Sequence, residues 1–290
     1  MSMFRYLYGI IISMTKANKT KLTNSSNTDF FVQVLGIGNS GSALYYRSSF
    51  LINAGGKYTL VDCPDPIQKI LRESSIKSGN KVVLQNIEDI IITHIHGDHC
   101  HGIESFGFEN YKNKHFGTKL NFPTIYTLDI EGLWNRFSGS MGTLVNPFTQ
   151  KPEQKQITDY FNIGKLNEIK NKNEIENKGI TKINNLELKI YKTKHHEMKS
   201  FGFIAKYEGR SIGYSADTSF DPKLIKFMSD CDLIIHECNG TLPGIHTGYY
   251  ELNSLPSEIR DKMYLIHCPD HFDRSGSKIK LLEEGKIIKL

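Results

Sequence analysis

The apolar positions of this 290-residue chain fall mainly in short runs with strand character. FFVQVLG, which begins at Phe30, is a β-rich run closed by the turn-forming Gly36 and Gly38. SSFLINAGG and KYTLVDC read as two strands joined through Gly55 and Gly56, with a short helix at 67–74. Residues 90–93 are rich in β-branching and predict a fully buried strand, so His94 emerges at a strand's C-terminal end. Further strands are predicted at 124–128, 186–192, 202–207, 211–215, 233–236 and 263–267, and helices at 222–228 and 257–262.

Several of these strands end in His, Asp or Glu. In layered α/β folds the loops that gather at strand ends form sites, so the pattern predicts one convergent site instead of scattered surface histidines. Residues 139–182 differ: they are rich in Asn, Lys and Gln with little apolar periodicity, and read as a surface insertion. Residues 1–29 read as a poorly ordered leader ahead of a domain spanning 30–290. The apolar stretch LYGIIISM within the leader is short and has no clear cleavage site.

Composition narrows the picture only a little. A hydrophobic content of 39% is ordinary for a globular protein. A net charge of +5 does not demand a nucleic-acid partner, nor does it oppose an anionic substrate. Five cysteines without CxxC spacing do not form a disulfide framework, which points to a reducing, cytoplasmic setting and not to a membrane.

The segment His94-Ile95-His96-Gly97-Asp98-His99 carries the chemistry. Side chains two apart at a strand end face the same way, so His94 and His96 can converge on one point. Asp98 and His99, in the next turn, can serve a second point close by, as in two-metal hydrolases. Imidazole and carboxylate without thiolate suit Zn²⁺, and also Mn²⁺ or Fe.

This HxHxDH motif resembles the metallo-β-lactamase superfamily, over about 30–272. The resemblance implies an α/β fold, a four-layer αβ/βα sandwich with the site at one edge. Asp62 matches the superfamily's buried structural aspartate. A third histidine for the first metal must come from KHHEMKSFGF, where spacing alone does not separate His195 from His196. In the ribonuclease Z-like branch the ligand stands five residues before an aromatic-Gly-aromatic strand, and counting back from Phe201 puts His196 there. Asp217, in GYSADTSF, is similar to the bridging aspartate and His267 to the last ligand. The implied set is His94, His96, Asp98, His99, His196, Asp217 and His267, holding two divalent ions, with Asp98 also counted as catalytic.

Two such ions make hydrolysis by a metal-bridging hydroxide the default reaction. HECNG and GIHTG resemble the segments that supply a Glu-His dyad in ribonuclease Z-like phosphodiesterases, and Glu237 and His246 match it. A carboxylate fixes an imidazole's tautomer and favours the imidazolium, which can protonate a leaving alkoxide. His236 is read as structural, and Cys100, His101, Cys268 and His271 carry no assigned role. True ribonuclease Z enzymes have a tRNA-gripping arm between the aromatic strand and the bridging aspartate. Here Tyr207-Glu208-Gly209-Arg210 leaves no room for one. The implied substrate is therefore a small phosphodiester such as a cyclic nucleotide, not folded tRNA, and a homodimer is common among relatives. An RNA 3′-processing endonuclease and a thioester or lactam hydrolase are the alternatives; a non-enzymatic scaffold would not need a complete ligand set.

Overall fold

The first strand shows why both faces of the central sheets must be apolar. In β1 (Phe30–Gly36), Val32 and Val34 point into one core while Phe31 and Leu35 point into another. Gln33 shares the second face, and its buried amide is satisfied by Ser74 Oγ at 3.0 Å and by Asn80. The structure is a computed structural model that describes residues 29–115, 121–167, 179–240 and 244–290. The leader expected at 1–29 lies outside these residues except for Asp29.

β1, β2 (Ser49–Ala54) and β3 (Lys57–Val61) form an antiparallel meander, extended in parallel by β4 (Ile87–Ile91) and β5 (Thr124–Tyr126). β6 (Thr143–Val145) and β7 (Pro152–Gln154) pair as a separate hairpin, and β8 (Asn162–Ile163) closes the first sheet beside β5. The second sheet starts with antiparallel β9 (Ile180–Ile183), β10 (Leu186–Lys192), β11 (Phe201–Tyr207) and β12 (Arg210–Tyr214). It continues in parallel through β13 (Leu233–Glu237), β14 (Met263–Ile266) and β15 (Lys280–Leu281). The last strand, β16 (Ile287–Lys289), returns to the first sheet beside β1.

The sheets face each other across a core in which Val32, Val34, Phe50 and Ile52 meet Ile190, Phe203, Ile212 and Tyr214. The outer face of the first sheet is covered by α1 (Ile67–Ser78), α3 (Gly102–His115) and α4 (Ile130–Met141). α2 (Gly97–Cys100) is a single turn ahead of α3. On the second sheet, α5 (Pro222–Met228) and α6 (Tyr249–Asn253) pack through Leu224, Met228 and Leu252, with α7 (Ser257–Arg260) beside β14. The result is the four-layer αβ/βα sandwich.

Most expected strands are present within a residue or two. α3 and α4 were not anticipated: their apolar stripes, Ile103 and Phe106 in one and Leu133, Phe137 and Met141 in the other, are narrow and interrupted by polar residues. The segment 139–182 is also more than a surface elaboration. Tyr160 and Phe161 are fully buried against α3, and the Tyr160 hydroxyl donates to the Met141 carbonyl at 2.6 Å. It supplies β8 to an edge of the first sheet and leads into β9 at an edge of the second. No helix among the described residues is long and apolar enough to cross a membrane.

Candidate metal centre

The parallel strands β12, β13 and β14 lie side by side, and their C-terminal ends deliver Asp217, Glu237 and His267 to one place. β4 delivers His94 and the turn after it, and β3 delivers Asp62. Three of these strand ends turn through left-handed backbone at non-glycine residues, with φ of 56° at Asp62, 49° at Ala216 and 61° at His267. Such conformations cost about 1–3 kcal/mol each and gather where function requires them.

The donor atoms form two groups that share Asp217, each within 4.8 Å. In the first, His96 Nδ1 lies 3.1 Å from both His94 Nε2 and His195 Nε2, and Asp217 Oδ2 is 3.8 Å from the latter two. In the second, Asp98 Oδ2 is 3.2 Å from His267 Nε2 and 3.4 Å from His99 Nε2, and Asp217 Oδ2 is 3.4 Å from both imidazoles.

The third histidine of the first group is His195, and His196 is not part of it. His195 is buried, whereas His196 is exposed and has a left-handed φ of 49°. The count back from Phe201 lands one residue outside the donor group because residues 193–200 form a turn, not an extension of β11. Lys194 is fastened to the loop after Asp217: its amide donates to Thr218 Oγ1 at 3.2 Å and its carbonyl accepts from the Ser219 amide at 2.9 Å. That clamp sets His195 beside Asp217.

Asp62 orients the second group. Its Oδ2 accepts from His99 Nδ1 at 2.8 Å, which aims Nε2 at the cluster, and Thr93 donates to it through both amide and hydroxyl. Nothing in the pattern of residues 90–93 marks Thr93 for this part.

Burial first, then neighbouring imidazolium charge, pushes His94 well below its usual range, and burial likewise lowers His96 and brings His195 down to about 4. The shift in all three rings favours the neutral form, the one that ligates metal. Burial opposes ionisation of Asp217, but His267 and His99 together hold it well below the carboxylate range. His99 Nε2 and Asp217 Oδ1 are buried without a hydrogen-bond partner among the described residues. Buried orphan atoms of this kind are costly, and converging nitrogen and oxygen donors fit a pair of divalent ions.

Glu237 and His246 flank the cluster. His246 Nδ1 donates to Glu237 Oε1 at 3.0 Å, and the same oxygen accepts from the Thr218 amide at 2.7 Å and the Thr247 amide at 3.4 Å. Burial, reinforced by the Asp217 charge, raises the Glu237 carboxyl well above its ordinary value. The His246 ring stacks on His267 with centroids 5.2 Å apart. His236 points away: it is fully buried, with Nδ1 on the Glu237 carbonyl at 2.8 Å.

The sandwich and the edge-on His/Asp cluster define a protein of the metallo-β-lactamase fold. The metallo-β-lactamase fold protein YhfI from Bacillus subtilis superposes with a TM-score of 0.69 at 17% identity, covering 90% of this chain and 99% of that one. The profile of the family described as Anti-Pycsar protein Apyc1 matches residues 30–288, and the chain belongs to that family. The Anti-Pycsar protein Apyc1 of Saccharibacillus brassicae is 30% identical over 88% of this chain and 98% of its own length. A cGMP-dependent 3′,5′-cGMP phosphodiesterase A of Dictyostelium discoideum is 25% identical over 95% of this chain, which matches 30% of that longer protein.

Proposed function

We propose that the chain is a two-metal phosphodiesterase that hydrolyses small phosphodiesters, 3′,5′-cyclic nucleotides above all. The observation that carries this reading is the Glu237–His246 pair set against a donor cluster that shares Asp217. The similarity to a cyclic-nucleotide phosphodiesterase supports it.

His94, His96 and His195 would hold one ion, Asp98, His99 and His267 the other, and Asp217 both. Nitrogen and oxygen donors in this number favour zinc. When bound, such a pair supplies a hydroxide at neutral pH and neutralises charge on the phosphoryl oxygens. The remaining work falls to the protein's own groups. Asp62 locks the His99 ring through Nδ1. Glu237 accepts a hydrogen bond from the Nδ1 proton of His246, which fixes the tautomer and stabilises the imidazolium. His246, partly exposed, then gives the Nε2 proton to the ribose oxygen as the P–O bond breaks. Water adds across that bond, and a nucleoside monophosphate leaves.

A tRNA substrate is disfavoured by the turn between β11 and β12. Tyr207 pairs with Arg210, and Glu208 and Gly209 both have positive φ, a tight two-residue hairpin with no arm. Five free, buried cysteines support a cytoplasmic setting. The test is a panel assay of zinc-loaded protein on cyclic nucleotides, precursor tRNA, a thioester and nitrocefin. Turnover confined to the cyclic nucleotides is expected; preference for any of the others would overturn the reading.

A further inference from the structure

Beside Asp98 the surface sinks into a pocket of about 440 Å³. Ser40, Arg47, Pro64, Asp65, Gly97 and Asp98 line it. His101 also lines it. Two larger clefts, of about 680 and 550 Å³, share no residue with the donor cluster.

The Arg47 wall is built in place. Asp270, three residues beyond His267, accepts from Ser42 Oγ at 2.5 Å and from the Ala43 and Leu44 amides at 2.7 and 3.2 Å. Gly38 bridges to both Arg47 and Cys268. The loop that carries Ser40 and Arg47 is thereby tied to the strand end that carries His267. Arg47 Nη2 donates to the Ser40 carbonyl at 3.2 Å, which commits one guanidinium nitrogen to its own loop. At His101, Arg136 can only donate, so its 2.9 Å contact makes Nε2 the acceptor and leaves the ring proton on Nδ1. Gly97 permits this ring position: a Cβ there would stand 2.3 Å from His101 Cε1.

We propose that this pocket receives the nucleoside of the substrate while the phosphodiester lies at the donor cluster, and that Arg47 is the residue that holds it. The inference rests on the phosphodiesterase reading and adds to it where the rest of the substrate goes. The volume falls in the range of small-molecule sites, roughly 300–1,000 Å³. A guanidinium can donate to base carbonyls and ring nitrogens or stack on a base, and a carboxylate such as Asp65 can accept from an exocyclic amine. Ser40, Asp65 and His101 are exposed, so the walls are polar and open and admit purines and pyrimidines alike.

The test is steady-state kinetics on cyclic GMP, cyclic CMP and bis(p-nitrophenyl) phosphate, a diester that has no nucleoside. Arg47→Ala should raise KM for both cyclic nucleotides by about 10- to 100-fold, the worth of a charge-assisted hydrogen bond, with a much smaller loss on the aryl diester. Arg47→Lys should restore only part of the binding, because it lacks the planar fork. Asp65→Ala, at an exposed position, should give a weaker form of the same split. Equal losses on all three substrates, or unchanged KM for the cyclic nucleotides, would overturn the assignment of the pocket. Wild-type protein that cleaves the aryl diester but neither cyclic nucleotide would instead overturn the reading beneath it, and the pocket's role would fall with it.

Discussion

His246 Nδ1 lies 3.0 Å from Glu237 Oε1, and Glu237 is fully buried behind it. Two backbone amides hold that carboxylate oxygen in place, so the imidazole is oriented by a rigid partner. If the pair protonates the leaving group, His246→Ala should lower kcat on a cyclic nucleotide by roughly 10²- to 10⁴-fold, with metal content unchanged. Its effect on bis(p-nitrophenyl) phosphate should be far smaller, since p-nitrophenolate leaves without a proton. Matched losses on both substrates at equal metal occupancy would return His246 to a structural role.

The two adjacent histidines separate cleanly. His195→Ala removes a donor from the first group, and zinc affinity should fall about 10- to 100-fold or more, with turnover falling alongside. His196→Ala changes an exposed ring at the rim, and its zinc content and kcat should stay within about threefold of wild type. Elemental analysis and kinetics of the two variants decide this. The opposite pattern would make His196, and not His195, the donor to the first ion.

Away from the site, Asp89 in β4 has its carboxyl pushed up from 3.8 to about 6, by burial first and the Glu88 charge second. The folded chain therefore binds this proton more tightly than the unfolded chain does. Between about pH 4 and pH 6 stability falls as pH rises, and above that the whole cost is present. Asp89→Asn removes the cost, so relative to wild type the variant should gain roughly 1–3 kcal/mol at pH 8 and little at pH 4. Urea denaturation at the two pH values measures the difference. A gain that does not change with pH would contradict the account.

How much the sequence reveals depends on how local each feature is. His94, His96, Asp98 and His99 are legible because one buried strand and one turn carry all four, and period-two geometry says where they face. Asp217 and His267 are legible only through resemblance, since nothing local joins them to His94. His195 was missed for a physical reason: its position depends on Lys194 being fastened to Thr218 and Ser219, a contact between residues some 25 apart. Tyr160 and Phe161 were hidden in a polar neighbourhood whose burial is decided by α3. The Asp270 clamp on 42–44 spans more than 220 residues, and no spacing rule reaches it.

The most direct test of the central claim is to titrate metal-stripped protein with zinc while following hydrolysis of a 3′,5′-cyclic nucleotide. Two donor groups sharing Asp217 predict no turnover without metal and activity that saturates at two equivalents of zinc per chain, with a nucleoside monophosphate as the product. Full turnover in the presence of chelator, or none at saturating metal, would contradict the account.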